Sequence, residues 1–196
     1  MFTNDQLKAM IKGQIIGNNY PYNSNNEQEI EAHIRRLFYR ISRIPNVVCE
    51  AVWNHFGSGY ASFIEFFCYR KEDVVIVSEK YGIQEIETNG IIIDISRLTP
   101  VAIMGEDVRY KKIRKATNEE LGGAFGTILD GPNRLIINNN FQGFANLLKQ
   151  TLDEFDYQLL GAEDIKQPLP FQTEIPTIYR DPRQYLVLDA IFYWED

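Results

Sequence analysis

The chain has 196 residues and a net charge of −7, with 44% hydrophobic, 24% charged and 13% aromatic residues. A chain of this length buries about 70% of its unfolded surface on folding, and its aromatic content excludes a disordered chain. The acidity works against binding to nucleic acid or an anionic membrane, and no run approaches the ~20 apolar residues of a bilayer span.

Thr3 and Gln6 have the spacing of a capping box, and Gly13 is a natural stop, so a short helix is expected over about 4–12. The start MFTNDQLKAM has neither the basic nor the long apolar region of a signal peptide. Gly17–Asn26 is rich in Asn and has no periodicity, which reads as a loop; with the arm before it, 1–26 forms an excursion able to move. Over 27–43, Ile30, Ile34, Leu37, Phe38 and Ile41 share one helical face, Asn25 or Asn26 caps the start, and Pro45 ends the helix.

Strands are expected next. Val47–Phe56 and Tyr60–Arg70 flank Gly57-Ser58-Gly59, a hairpin signature. A register centred on Ser58 sets Cys49 opposite Phe67 and Cys68 opposite Val48, with the two thiols on opposite strand faces. Val74–Glu79 is a further strand. Ile83–Glu87 and Ile91–Ser96 are expected to turn at Thr88-Asn89-Gly90, because Asn-Gly favours a type I′ turn. Val101–Met104 continues the sheet, the segment 105–133 is irregular, and Arg134–Asn138 is a short strand. A helix over about 141–156 buries Phe141, Phe144, Leu148, Leu152 and Phe155. A connector punctuated by Pro168, Pro170, Pro176 and Pro182 leads to a last strand, Tyr185–Trp194. Strands joined this closely run antiparallel. The expected fold is therefore one α+β domain over 1–196. It has an antiparallel sheet of roughly five to seven strands, the 27–43 and 141–156 helices on one face, and the N-terminal helix at the periphery.

The polar residues build no known catalytic or metal spacing. His33, His55, Cys49 and Cys68 lie on separate elements, without the close pairs that announce zinc, so neither a metal nor a cofactor is expected. There is no nucleophile elbow. Two cysteines make no disulfide framework, which implies reduced thiols and a cytoplasmic location. The stretch Gly122-Gly123-Ala124-Phe125-Gly126 fits neither phosphate-loop pattern. With the basic run beginning at Arg109 and Lys111-Lys112, it offers one alternative, an enzyme or phosphate-binding site built from Arg109, Lys112, Gly122, Gly123 and Gly126. Tyr110 within that run has the placement of a nucleic-acid stacking residue, but the net charge opposes that use.

The acidity is concentrated in the C-terminal half. Asp153, Glu154, Asp156, Glu163 and Asp164 gather around the end of the third helix, where acidic residues oppose the helix dipole. Loop aromatics, namely Tyr20, Tyr22, Phe171, Tyr179 and Tyr185, have the character of interface anchors. Together these features favour a non-catalytic binding protein that masks or recruits another protein, with those five carboxylates facing a basic partner. In broad character a small acidic α+β domain of this kind is like the toxin-neutralising (immunity) proteins of bacteria, a likeness of type. A homo-oligomeric structural protein pairing through the 185–194 strand is the other alternative.

Overall fold

Ile91-Ile92-Ile93 and Ile95 are apolar at successive positions, which suits a strand covered on both faces. A computed structural model describes residues 2–57 and 59–195 and shows that arrangement. The helices are α1 (Asn4–Ile11), α2 (Glu27–Ser42), α3 (Asn139–Asp153), α4 (Ala162–Ile165) and α5 (Val187–Ile191). The strands are β1 (Val47–Val52), β2 (Tyr60–Ala61), β3 (Phe63–Arg70), β4 (Val74–Lys80), β5 (Ile83–Ser96), β6 (Val101–Arg114), β7 (Glu119–Ala124), β8 (Gln158–Leu159) and β9 (Trp194–Glu195). The fold is α+β. Among the described residues its main sheet has seven strands in the order β1-β3-β5-β6-β7, with β4 also on β5 and β8 on β6, and only the β6–β8 pairing is parallel.

Side-chain alternation divides the core into two layers. Ile64, Phe66, Cys68, Ile91, Ile93 and Ile95 face α2 and α3, which bury Ile30, Ile34, Leu37, Ile41, Phe144, Leu148 and Leu152 against them. Phe63, Phe67, Ile92 and Ile103 face the opposite layer, built from α1, α5, Ile165 of α4 and the loop residues Ile128, Leu129, Ile175 and Tyr185. Each fully buried aliphatic side chain of this kind contributes about 1.5–3 kcal/mol. The capping box of α1 forms, Asn26 caps α2 through the N–H groups of Gln28 and Glu29, and Gly13 takes φ 74 after α1.

The N-terminal segment is tied into both layers. Leu7 and Met10 are buried, and the Tyr193 hydroxyl donates to the Met10 carbonyl. Tyr22 is buried in the middle of the Asn-rich loop, and its hydroxyl donates to the Ser96 carbonyl at 2.6 Å.

Several elements differ from expectation. The 47–70 hairpin is shifted by one residue, so that Cys49 faces Cys68 and Glu50 faces Phe67. The connection is not a tight turn about Ser58. It holds a 3-10 turn at His55–Gly57 and then β2, which leaves to pair with β9, and a one-residue slip moves every side chain to the other face. Thr88-Asn89-Gly90 is not a turn. It lies inside β5, opposite Arg109, Val108 and Asp107, and the turn between β4 and β5 is Tyr81-Gly82, whose φ values of 55 and 74 are those of a type I′ pair. Residues 105–114 continue β6, and Gly122 and Gly123 pair with Lys112 and Lys111 in β7, so most of the irregular segment is sheet. Residues 134–138 are not a strand. They follow a 3-10 turn at Pro132–Arg134 and run along the β6 edge, where the Glu106 N–H donates to the Ile136 carbonyl. The 185–194 strand is replaced by α5, because Asp189 folds back to accept the Leu186 N–H while Leu188, Ile191 and Phe192 turn into the core.

Gly90 is required by close approach rather than by a turn: an added Cβ would lie 2.7 Å from the Cys68 carbonyl oxygen and against the Phe67 ring. Gly90→Ala is expected to destabilise the chain by about 1–3 kcal/mol, the cost of overpacking. Gly122→Ala, with open space at its Cβ, is expected to stay within about 0.5 kcal/mol. Urea denaturation of the two variants measures both.

Candidate functional site

The β5–β6 ladder outruns the core. Beyond Thr88 and Val108 the strands have no buried positions and, with β4 and β7, form a four-stranded wing. β4 is an edge of that wing. It pairs with β5, and no strand among the described residues pairs with its other side. Val74, Val75, Ile76 and Val77 are consecutive on it and 37–54% exposed. β-branched residues favour the extended chain, but natural edges are normally blunted by charge, proline or bulges. Here the blunting starts late. A bulge interrupts the register between Ile76 and Ser78, and Glu79 and Lys80 follow. Tyr81 at the tip is fully exposed, and Tyr110 is about half exposed. The arrangement offers unpaired backbone groups flanked by apolar side chains, which is what an added strand uses.

A cleft of about 380 Å³, floored in part by Ile15, Ile30 and Leu98, lies elsewhere, between the N-terminal half of α2 and the β1–β3 connection. Its lining includes Glu27, Glu31, Arg35, His55, Tyr60 and Arg97. Glu31 is paired with Arg35 at 2.7 Å and with Arg97 at 3.4 Å. Arg97 also donates to the carbonyls of Trp53 and Phe63, and the Arg35 guanidinium lies 4.1 Å from the centre of the Trp53 ring. His55 and Phe56 both take positive φ, of 53 and 58. The Ala61 N–H donates to His55 Nδ1 at 3.0 Å, which puts the proton of the neutral ring on Nε2. Burial and then the Arg97 charge hold the His55 pKa below its ordinary value, so the cleft presents a neutral imidazole.

On the α1 side of the sheet, Glu65 and Asp94 are directly opposed in the β3–β5 ladder. Asp94 is wholly buried and neither of its oxygens has a hydrogen-bond partner among the described residues, while Glu65 pairs with Arg109 at 2.5 Å. Arg109 lies over the Phe67 ring at 4.0 Å. Burial raises both carboxyl pKa values, with the Glu65 charge a further cause for Asp94 and the Asp107 charge for Glu65. Two carboxylates this close in a dry layer cannot both ionise, and Asp94 is the one that keeps its proton.

The sequence-derived site residues are distributed differently. Asp153 is paired with Lys149 at 2.9 Å, Glu154 with Arg40 at 3.1 Å and Glu163 with Lys166 at 2.6 Å. Asp164 accepts the Gly161 N–H, and Asp156 takes φ 61 just after α3. The basic run is likewise matched. Lys111 meets Glu50, Lys112 meets Glu85, Arg114 meets Glu119 and Lys115 meets Glu79. Arg109 is buried against Glu65, Gly122 and Gly123 are in the β6–β7 ladder, and the Gly126 N–H donates to Asp107, so these five residues do not converge on one cradle. Of the loop aromatics, Tyr22 and Tyr185 are buried, Phe171 and Tyr179 pack on the core, and Tyr20 is exposed.

The open edge at 74–77 was not among the sequence-derived candidates. Its signal was four consecutive apolar β-branched residues with no polar alternation. Such a run also fits a strand buried on both faces, and only the structure separates the two cases. Among the described residues no His/Cys/Asp/Glu group is placed to hold a metal ion, and no helix is long and apolar enough to cross a membrane. No protein-family model, no curated protein and no solved structure matches the chain.

The Asp94 carboxyl is held well above its ordinary value of 3.8. The folded chain therefore keeps a proton that the unfolded chain releases above about pH 4, and the associated stability is full in acid and is lost as pH rises through the folded pKa. Asp94→Asn supplies a neutral side chain at every pH. It is expected to match the parent chain near pH 4 and to melt a few degrees higher near pH 8, since 1 kcal/mol is about 2–4 °C for a chain of this size. Melting curves at the two pH values check this; a variant less stable at pH 8 than at pH 4, relative to the parent, contradicts the protonated assignment.

Proposed function

We propose that this chain is a non-catalytic protein-binding domain that masks or recruits another protein by accepting a strand of that partner along β4. The observation that carries the reading is the open, apolar edge at Val74–Val77. Main-chain hydrogen bonds to that edge would supply affinity, and the exposed valines would supply the side-chain contacts on either face of the extended sheet. The net charge of −7 favours a basic partner over a second copy of this chain, because two copies repel and an oppositely charged protein is steered inward. Asp156, with the partly screened Asp153, Glu154, Glu163 and Asp164, would add to that long-range field rather than form the docking surface. A masking role of the toxin-neutralising type, exercised in the cytoplasm, fits this mode of binding.

A second reading rests on the cleft. The strained pair His55–Phe56 beside Glu27, for which no ion pair is found among the described residues, suits a small polar ligand with a cationic group. Ligand-dependent stabilisation would reveal it.

The test of the first reading uses Val75→Lys/Val77→Lys. Both side chains are about half exposed, so the doubly substituted chain is expected to melt within about 4 °C of the parent, surface changes costing within about 0.5 kcal/mol each. Tagged parent and variant are used side by side to capture partners from a lysate of the source cell, with the retained proteins identified by mass spectrometry. A stoichiometric protein held by the parent and lost by the variant supports strand addition. Equal retention by both places the binding surface elsewhere.

A further inference from the structure

We propose that Cys49 and Cys68 form a cross-strand disulfide, a covalent modification site that ties the edge strand β1 to the interior strand β3. The two residues are directly opposed in the antiparallel β1–β3 ladder. Opposed residues in such a ladder have Cα atoms about 4.5 or 5.5 Å apart, and both values lie inside the window a disulfide needs. Their side chains share one face of the sheet, and the two sulfur atoms are already in contact at 3.2 Å as free thiols. No backbone movement is needed to bring them together.

The surroundings decide the order of events. Cys68 is wholly buried, whereas Cys49, on the edge strand, is partly exposed. Cys49 is therefore the thiol that meets an external oxidant, and a small disulfide such as glutathione disulfide is the class of co-reactant required. The Cys49 thiolate attacks one sulfur of glutathione disulfide, breaks its S–S bond and releases one glutathione thiolate. Cys68 then loses its proton and attacks Cys49 in the resulting mixed disulfide. The Cys49–glutathione bond breaks and the second glutathione leaves. In sum, two protein thiols are oxidised, one glutathione disulfide is reduced to two thiols, and the protein loses two hydrogens. Burial and the adjacent Cys68 thiol push the Cys49 thiol well up, so the reaction is slow at neutral pH and quickens as the pH is raised.

The cross-link would close a loop of about 20 residues and restrict the unfolded chain accordingly. It would also fix the start of β1, which is joined to α2 by a short turn ending at Asn46, so the edge of the sheet and its covering helix would be held together. This reading departs from the expectation of two reduced thiols, which rests on cysteine count alone; in a reducing cytoplasm the bond would form only when an oxidant is supplied.

The experiment equilibrates the purified chain with glutathione disulfide at pH 8. Intact mass under non-reducing conditions and thiol titration in denaturant are then measured. The expected result is a monomer lacking two hydrogens, with no titratable thiol, restored to two thiols by dithiothreitol. Its melting temperature is expected to rise by about 6–12 °C over the reduced form. Cys68→Ser is expected to stop at the mixed disulfide on Cys49, and Cys49→Ser to remain unmodified while folded. Two thiols persisting in the parent chain, a stable mixed disulfide in it, or cross-links only between chains would each overturn the proposal. The thiol count does not depend on the variants folding and is independent of any partner bound at β4.

Discussion

The pairing of β5 with β6 over thirteen successive positions, from Ile83 opposite Arg114 to Ile95 opposite Ala102, runs through two different solvents. Its first half stands in water as the wing and its second half is sealed between two layers. The sealed half needs both of its faces covered, which is why α2 and α3 lie on one side and α1, α5 and the C-terminal loops on the other. A strand pair half as long would have left either the core without its central strands or the wing without its base. Gly90 marks the crossing point, where the backbone of β5 comes against Phe67 and the Cys68 carbonyl with no room for a side chain.

The same ladder organises the charge. Alternation sends Glu65, Asp94, Asp107 and Arg109 to the α1 side of the sheet, into or next to the dry layer, while Lys112 and Arg114 emerge on the opposite face among acidic neighbours. A run that is densely basic along the chain is thereby made nearly neutral in space, each cation meeting a carboxylate from a different strand or from the following turn. The exposed pairs contribute little to stability individually, but they remove the unopposed positive field that an anion would need. The buried members behave otherwise. Arg109 neutralises Glu65, and Asp94 is left to resolve its burial by holding a proton.

Local patterns in the sequence were legible where one periodicity acted alone. α2 and α3 follow from their 3.6-residue apolar stripes, and α1 from its cap, because those signals need no knowledge of what packs on top. The structure departs from the local pattern where the deciding partner is distant in the chain. Asn89-Gly90 has the chemistry of a turn, and only the continuation of β6 to Arg114 reveals that the same Gly is needed for clearance. The 185–194 run is rich in strand formers, and it becomes α5 because Asp189 is engaged by Leu186 and by Arg180 at 2.5 Å. The cysteine register depended on a connection that does not close locally, since β2 leaves to meet β9 at the far end of the chain. The acidic and basic clusters were readable as composition, but the cross-strand and helix–helix partners that discharge them were not.

The open edge of β4 follows from how β1 begins. β4 continues the line of β3 along the same side of β5, after the short 3-10 turn at Lys71–Asp73. β1 covers the outer side of β3 only as far as Val47 opposite Arg70. There Pro45 and Asn46, the latter at φ 64, have turned the chain away into α2, and the Lys71 N–H donates to the Asn46 carbonyl to close the corner. Among the described residues no strand therefore occupies the lane that β1 would have taken beside Val74–Val77, bounded at one end by this corner and at the other by the bulge at Val77. A strand entering it would extend the sheet in the line of β1 and meet four apolar residues without displacing any native hydrogen bond. The disposition of β1 thus governs both the contact between the thiols along its length and the gap beyond its start.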